Sequence, residues 1–291
     1  MKRLWEWFLI TLELGKIKIT FSVTVTTTVG YLLAPKPWSS NLIWPVMGIL
    51  LIGLSSAALN QIQDKDLDSK MKRTRGRPLP SGRISMGFAW AFVFSYFLVG
   101  ISILLLKTNI IASILGLSAY IWYNGIYTYL KRVSPIAVIP GSVIGGVPPA
   151  VGWSAAGGDI LDPYILSICL FMIIWQIPHF WLLLFLYGND YHEAGLPSLI
   201  KIISERSLQL LTFSGIIFTI ISAFVIAYYG NYQNLSGYVI TFALSLILLF
   251  LSRGLLFFGK NLMYKKIFIS INIFSVLILI VNLFMGTIIR S

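Results

Sequence analysis

The feature that confines this chain most is a succession of long apolar runs, at 17–34, 41–63, 86–106, 109–130, 136–156, 161–187, 207–229, 236–257 and 266–289. Roughly 20 helical residues cross a hydrocarbon core of about 30 Å, so each run predicts a membrane-spanning α-helix. Charged residues make up only 11% of the 291, and the mean hydropathy is +0.84. That is too little charge to coat a soluble globule of this size. The expected fold class is an all-α polytopic membrane protein of about nine transmembrane helices, forming one domain over 1–291. Polar loops at about 60–85 and 188–206 cap one face.

Residues 1–13 mix Lys2, Arg3, Glu6 and Glu13 with aromatics and carry no small-residue cleavage site, which predicts an amphipathic, interfacial lead-in rather than a cleaved signal. With nine spans, 19 of the 22 basic residues share one side, and only Lys36, Lys107 and Arg290 lie opposite. The positive-inside rule then places the N-terminus and both polar loops in the cytoplasm, as expected of a cytoplasmic (inner) membrane protein. Positive loops against anionic lipid account for most of the net charge of +12, and nucleic acid is discounted as a partner. Cys169 is the sole cysteine, so an intrachain disulfide is excluded.

Six of the ten acids fall in two clusters, Asp64, Asp66 and Asp68 after the second span and Asp190, Glu193 and Glu205 after the sixth. Both lie at cytoplasmic span ends, where a helix bundle can bring them together. Asn60, Asp64 and Asp68 are spaced by four, which puts them on one helix face. An amide oxygen and two carboxylates are hard ligands suited to Mg²⁺, whose shell is completed by water and phosphate. The alternative is a solvated helix end neutralised by nearby lysines. Lys70, Lys72, Arg73, Arg75 and Arg77 follow the acids, then the rigid turn Pro78 to Gly82. Acids followed by bases suit a metal-bridged diphosphate, with guanidinium groups taking the remaining oxygens. Tyr127 and Lys131, four apart, add a candidate diphosphate ligand at the same face, whereas Tyr129 and Arg132 read as interfacial anchors. His179 lies within the sixth run, beside Pro178, either as a substrate-binding group or as a structural partner for a freed carbonyl. Asp190 is the candidate second metal ligand, and His192 reads as a solvated loop residue. The glycine and proline series from Gly141 to Pro149 predicts close helix packing followed by a kink.

The run from Asn60 to Ser85 resembles the first aspartate-rich signature of the intramembrane, UbiA-type prenyltransferase superfamily, which includes 4-hydroxybenzoate polyprenyltransferase. Met71 to Arg83, Tyr127 to Arg132, Gly145 to Trp153, and Gln176 to Trp181 with Asp190, Tyr191, Ala194 and Gly195 are most similar to its haem-farnesylating branch. The likeness covers about 12 to 205, with departures at Ile17, Ala137 and Pro197 to Ile200. The resemblance implies helices around a central cavity, Mg²⁺ as cofactor, and farnesyl diphosphate and haem b as substrates. The product would be haem O, passed toward haem A synthase or terminal oxidase assembly. It also implies that Asn60, Asp64, Asp68 and Asp190 organise the metal, that Arg73, Arg77 and Lys131 grip phosphate, and that Lys16 and Lys18 assist. Competing expectations are prenylation of an aromatic or quinone precursor and, from another class, a transporter with acids lining an ion path.

Overall fold

The computed structural model describes residues 2–230, 235–257 and 261–288. Lys260 and Arg290, two of the basic residues used for orientation, and residue 289 of the last expected span lie outside the described residues. So do the side chains of Lys2, Arg3, Tyr191 and His192. The regular elements among the described residues are all helical, the α-helices being α1 Lys2–Leu14, α2 Ile17–Leu33, α3 Ile43–Gln63, α4 Lys65–Lys70, α5 Met86–Lys107, α6 Ile110–Ile121, α7 Thr128–Val133, α8 Val138–Ala155, α9 Pro163–Glu193, α10 Glu205–Tyr229, α11 Leu235–Ser252, α12 Gly254–Phe257 and α13 Asn261–Ile288. Helix starts carry side-chain caps that accept free backbone N–H groups: Ser85 from Phe88 (3.2 Å), Asn109 from Ala112 (2.8 Å) and Ser204 from Ser207 (3.0 Å).

Seven helices among the described residues are long and apolar enough to cross a membrane, and the chain is an integral multi-pass membrane protein. The other two expected spans are helical but weaker. α2 has 17 residues and carries Thr20, Thr24, Thr26, Thr27 and Thr28, whose hydroxyls all bond carbonyls of the preceding turn. α8 has 18 residues and holds Pro148 and Pro149 internally. Both are less apolar for a packing reason visible at their crossing. A Cβ added to Gly152 would collide with the Thr27 carbonyl oxygen, and one added to Gly30 with the Pro149 carbonyl. Bare backbone therefore meets bare backbone, as small residues permit in lipid.

The chain divides into two compact units. The first comprises residues 1–134, 147–158 and 189–196. In it α3 packs against α2, α5 and α6. Gly48 and Gly100 bring α3 and α5 close, and buried Ser55 donates to the Val93 carbonyl (2.8 Å). Leu14, Leu54, Ala58, Leu79, Ile84, Ala89, Phe92 and Val93 form a buried core at the polar-loop end. The second unit comprises 135–146, 159–188 and 197–291. There α11 and α13 pack together and with α10, Trp175 of α9 donates to the Ile271 carbonyl (3.1 Å), and Pro178 lies against Gly215. Among the described residues the helical path of α9 is interrupted at Tyr187 (φ −133°, ψ 16°).

Gly152→Leu should therefore destabilise the first unit by at least about 1–3 kcal/mol through overpacking. The check is thermal melting in detergent, where each kcal/mol lowers Tm by about 2–4 °C; an unshifted Tm would mean that α2 and α8 can separate without cost.

Candidate active site

Asp64 and Asp68 are buried carboxylates, 5% and 1% exposed. The expected continuous helix through them is broken: α3 ends at Gln63, Asp64 takes φ −98° and ψ 10°, and α4 starts at Lys65. The register survives the break, because Asp64 N–H still bonds the Asn60 carbonyl (2.9 Å) and Asp68 N–H the Asp64 carbonyl (2.7 Å). Asn60, Asp64 and Asp68 thus remain on one face, as their spacing predicts.

Cations from three separate segments meet these acids. Lys131, at the end of α7, donates to Asp64 Oδ2, while Arg132 donates to Asp64 Oδ1 (3.1 Å) and to the Gln63 carbonyl (2.6 Å). One guanidinium nitrogen of Arg77 reaches both Asp68 oxygens (2.8 and 2.6 Å). Arg77 is aimed by the turn that follows it. Leu79 is inserted in the core, Ser81 and Gly82 N–H groups bond the Arg77 and Leu79 carbonyls, and Gly82 supplies the positive φ of 74°. Arg83 then ties the turn to α1 through Glu13 (2.8 Å).

The fourth cation is Lys16, in the joint between α1 and α2. Its backbone is left-handed (φ 48°, ψ 50°), which for a residue other than glycine costs on the order of 1–3 kcal/mol. The side chain donates to Asn60 Oδ1 (2.7 Å). Burial, then the nearby Arg77 and Lys131, push its ammonium down to about 7, against the upward pull of Asp68 and Asp64. Burial also lowers Lys131, opposed by Asp64. Four basic side chains gathered around two carboxylates make a place where an anion is stabilised.

Between α6 and α7, residues Trp122–Tyr127 form a π-helical turn. It stacks Tyr123 on Tyr127 (5.6 Å between ring centroids) and sets the Tyr127 ring 5.9 Å from Lys131 Nζ. Buried Thr128 accepts from Asn60 Nδ2 (3.2 Å), and Asn60 Nδ2 also donates to Asp64 Oδ2 (2.8 Å).

The second acidic segment docks on the first. Ala194 and Leu196 pack with Met71, and Glu193 pairs with Lys72 at 3.7 Å. Asp190 lies one turn before Ala194, whose N–H bonds its carbonyl (3.1 Å), and is half-buried. Arg73 and Lys18 are exposed rather than buried with the carboxylates. His179 sits in the second unit, its ring 4.9 Å from Trp175 and 4.8 Å from Phe268, and its Nδ1 has no hydrogen-bond partner among the described residues. Sequence reasoning treated Arg132 as an interfacial anchor; its bond to Asp64 corrects that, and the adjacent Lys131 was the available signal. It also passed over Thr128 and Tyr123, whose placement follows from the π turn.

The donor set fits Mg²⁺. Among the described residues no three His, Cys, Asp or Glu side chains gather as a closed shell. Two buried carboxylates and an amide oxygen on one face match an ion that takes few protein ligands and keeps positions for phosphate and water.

Residues 23–284 match the UbiA prenyltransferase family. A protoheme IX farnesyltransferase from Hahella chejuensis is 36% identical over 202 residues, covering 68% of this chain and 67% of that protein. The matched segments span about two thirds of the length of the first bacterial relatives. Among solved structures, a digeranylgeranylglyceryl phosphate synthase superposes with TM-score 0.78 at 16% identity, over 97% of this chain and 99% of that one. A UbiA homologue from Archaeoglobus fulgidus bound to GPP and Mg²⁺ gives TM-score 0.58 at 16% identity, over 96% and 99%. The fold is thus shared across these proteins.

Arg77→Met should cost about 3 kcal/mol of stability, because it strands a buried carboxylate. Adding Asp68→Asn should recover part of that loss. Thermal melts of the single and double variants in detergent test this; an effect below about 0.5 kcal/mol would show that Asp68 is held by another cation.

Proposed function

Since the chain belongs to the UbiA prenyltransferase family, we propose that it transfers a farnesyl group from farnesyl diphosphate to a vinyl group of haem b, giving haem O. The whole chain acts as one prenyltransferase, with its carboxylate and cation cluster on the cytoplasmic side of the inner membrane. The observation that carries the reading is the pair of buried carboxylates set among four cations. The named relatives supply the acceptor, and the homologue holding GPP and Mg²⁺ supports use of a divalent ion with an isoprenyl diphosphate.

Asn60, Asp64, Asp68 and Asp190 would hold Mg²⁺, which when bound neutralises diphosphate oxygens and eases their departure. Arg77, Lys131, Arg132 and Lys16 take the remaining oxygens, with Arg73 and Lys18 joining from the exposed rim. Heterolysis of the C1–O bond leaves both electrons on the diphosphate, where these cations stabilise the developing charge. The vinyl π electrons then form the new bond to C1. The carbocation left on the acceptor takes up water and loses a proton, which gives the hydroxyl. The Tyr123 and Tyr127 rings, stacked beside Lys131, offer π faces that tolerate an allylic cation and carry no nucleophile stronger than a phenol. His179 is assigned to haem, on an Nδ1 that has no partner among the described residues and an aromatic setting.

The deciding experiment incubates purified protein in detergent with Mg²⁺, farnesyl diphosphate and haem b, with 4-hydroxybenzoate in a parallel tube, and reads products by mass spectrometry. The expected product is hydroxyethylfarnesyl haem. A prenylated benzoate would replace the acceptor, and no product in either tube would favour a transporter. Asp64→Asn and Asp68→Asn should abolish transfer while the proteins still insert; normal turnover in either removes that residue from the site. His179→Ala should reduce haem affinity more than farnesyl diphosphate affinity, and equal losses would mark it as structural.

A further inference from the structure

A helix that crosses lipid has to satisfy its own backbone, so a turn with one residue too many creates carbonyls that need new donors. The π turn at Trp122–Tyr127 does this one turn before Lys131. The Asn124 carbonyl is taken by Gln63 Nε2 (2.9 Å). The Tyr123 carbonyl receives the Thr128 backbone N–H and also the Thr128 hydroxyl (2.9 Å).

That second bond fixes the polarity of a short chain of groups. A hydroxyl has one proton. Because the Thr128 proton points to the Tyr123 carbonyl, its oxygen can only accept from Asn60, and it does so at 3.2 Å. The Asn60 NH₂ group thus meets two acceptors, Thr128 Oγ1 and Asp64 Oδ2 (2.8 Å), and the amide oxygen is turned the opposite way, where Lys16 donates to it at 2.7 Å. Lys16 thus meets the amide oxygen and not the NH₂ group, as a donor at that position requires. Amide orientation is consequently set from both ends.

We infer that Thr128 is a positioning residue that holds the Asn60 amide oxygen toward the cation side of the site. The inference rests on the metal-diphosphate reading of Asn60, Asp64 and Asp68. An ordinary back-bonding threonine would explain the bond to Tyr123, but not the acceptance from Asn60, 68 residues away in sequence. Thr128 is fully buried, so water does not replace its hydroxyl. Groups that orient a metal ligand are typically worth about 10–100-fold in metal affinity.

The test is Mn²⁺ titration of the full chain in detergent, read by electron paramagnetic resonance at fixed inorganic pyrophosphate, with thermal melting alongside. Thr128→Val, which removes the hydroxyl at nearly constant shape, should weaken Mn²⁺ binding about tenfold or more, whereas Thr128→Ser should stay within about threefold of wild type. If the valine variant does not purify, serine against alanine makes the same comparison, since that pair differs only by the hydroxyl. Equal affinities with and without the hydroxyl, or a serine variant as weak as the valine one, overturn the role of Thr128. Absence of saturable Mn²⁺ binding by the wild type overturns instead the metal reading on which it rests.

Discussion

Taking a carboxylate out of water costs several kcal/mol unless opposite charge and hydrogen bonds replace the solvent. Asp64 and Asp68 impose that cost just beyond the end of the largely apolar α3, and the rest of the first unit is arranged to meet it. The Pro78 to Gly82 turn buries Leu79 and so delivers Arg77 to Asp68. The end of α7 delivers two cations to Asp64. A strained backbone at Lys16 delivers a fourth to Asn60. The supply exceeds what two acids need. A site built in this way favours an anion, which lowers its energy by relieving repulsion among cations already held close.

The membrane class and the acid cluster were legible because each stands against its background. Apolar runs of twenty residues are conspicuous, and so are the few acids in a chain of 11% charge. The span count was less legible, since α2 and α8 trade side-chain bulk for backbone proximity and so resemble polar or broken segments. Within the site, the four-residue spacing predicted the shared face of Asn60, Asp64 and Asp68, and it survived a helix break that the sequence did not announce. Arg132 was misread because an arginine at a span end usually snorkels; only the α7 geometry shows it reaching the Gln63 carbonyl and Asp64. The π turn has no local signature, and with it Tyr123 and Thr128 escaped notice. Lys18 carries a charge as visible as that of Lys16 but falls on the exposed side of α2, two residues beyond the left-handed joint.

Irregular backbone in the first unit concentrates around the acids: the left-handed Lys16, the break at Asp64, the Gly82 turn and the π turn before α7. Each departs from regular helix where a side chain must be aimed, and freed carbonyls there find donors in other segments, such as Gln61 Nε2 on the Glu13 and Leu14 carbonyls (3.2 and 2.9 Å) and Gln63 Nε2 on that of Asn124 (2.9 Å). Strain stored at a site and compensated by its surroundings is a common property of positions that handle ligands.

The first unit is also discontinuous in sequence, and this sets an order of events during synthesis. All four cations and both carboxylates lie between residues 16 and 132, so their pairs can close while the ribosome is still making the spans that follow. The strip 147–158 arrives next, and 189–196, with Asp190, only after two stretches that belong to the other unit. Once residue 132 is in place the chain can thus pair both buried carboxylates, while Asp190 is added late.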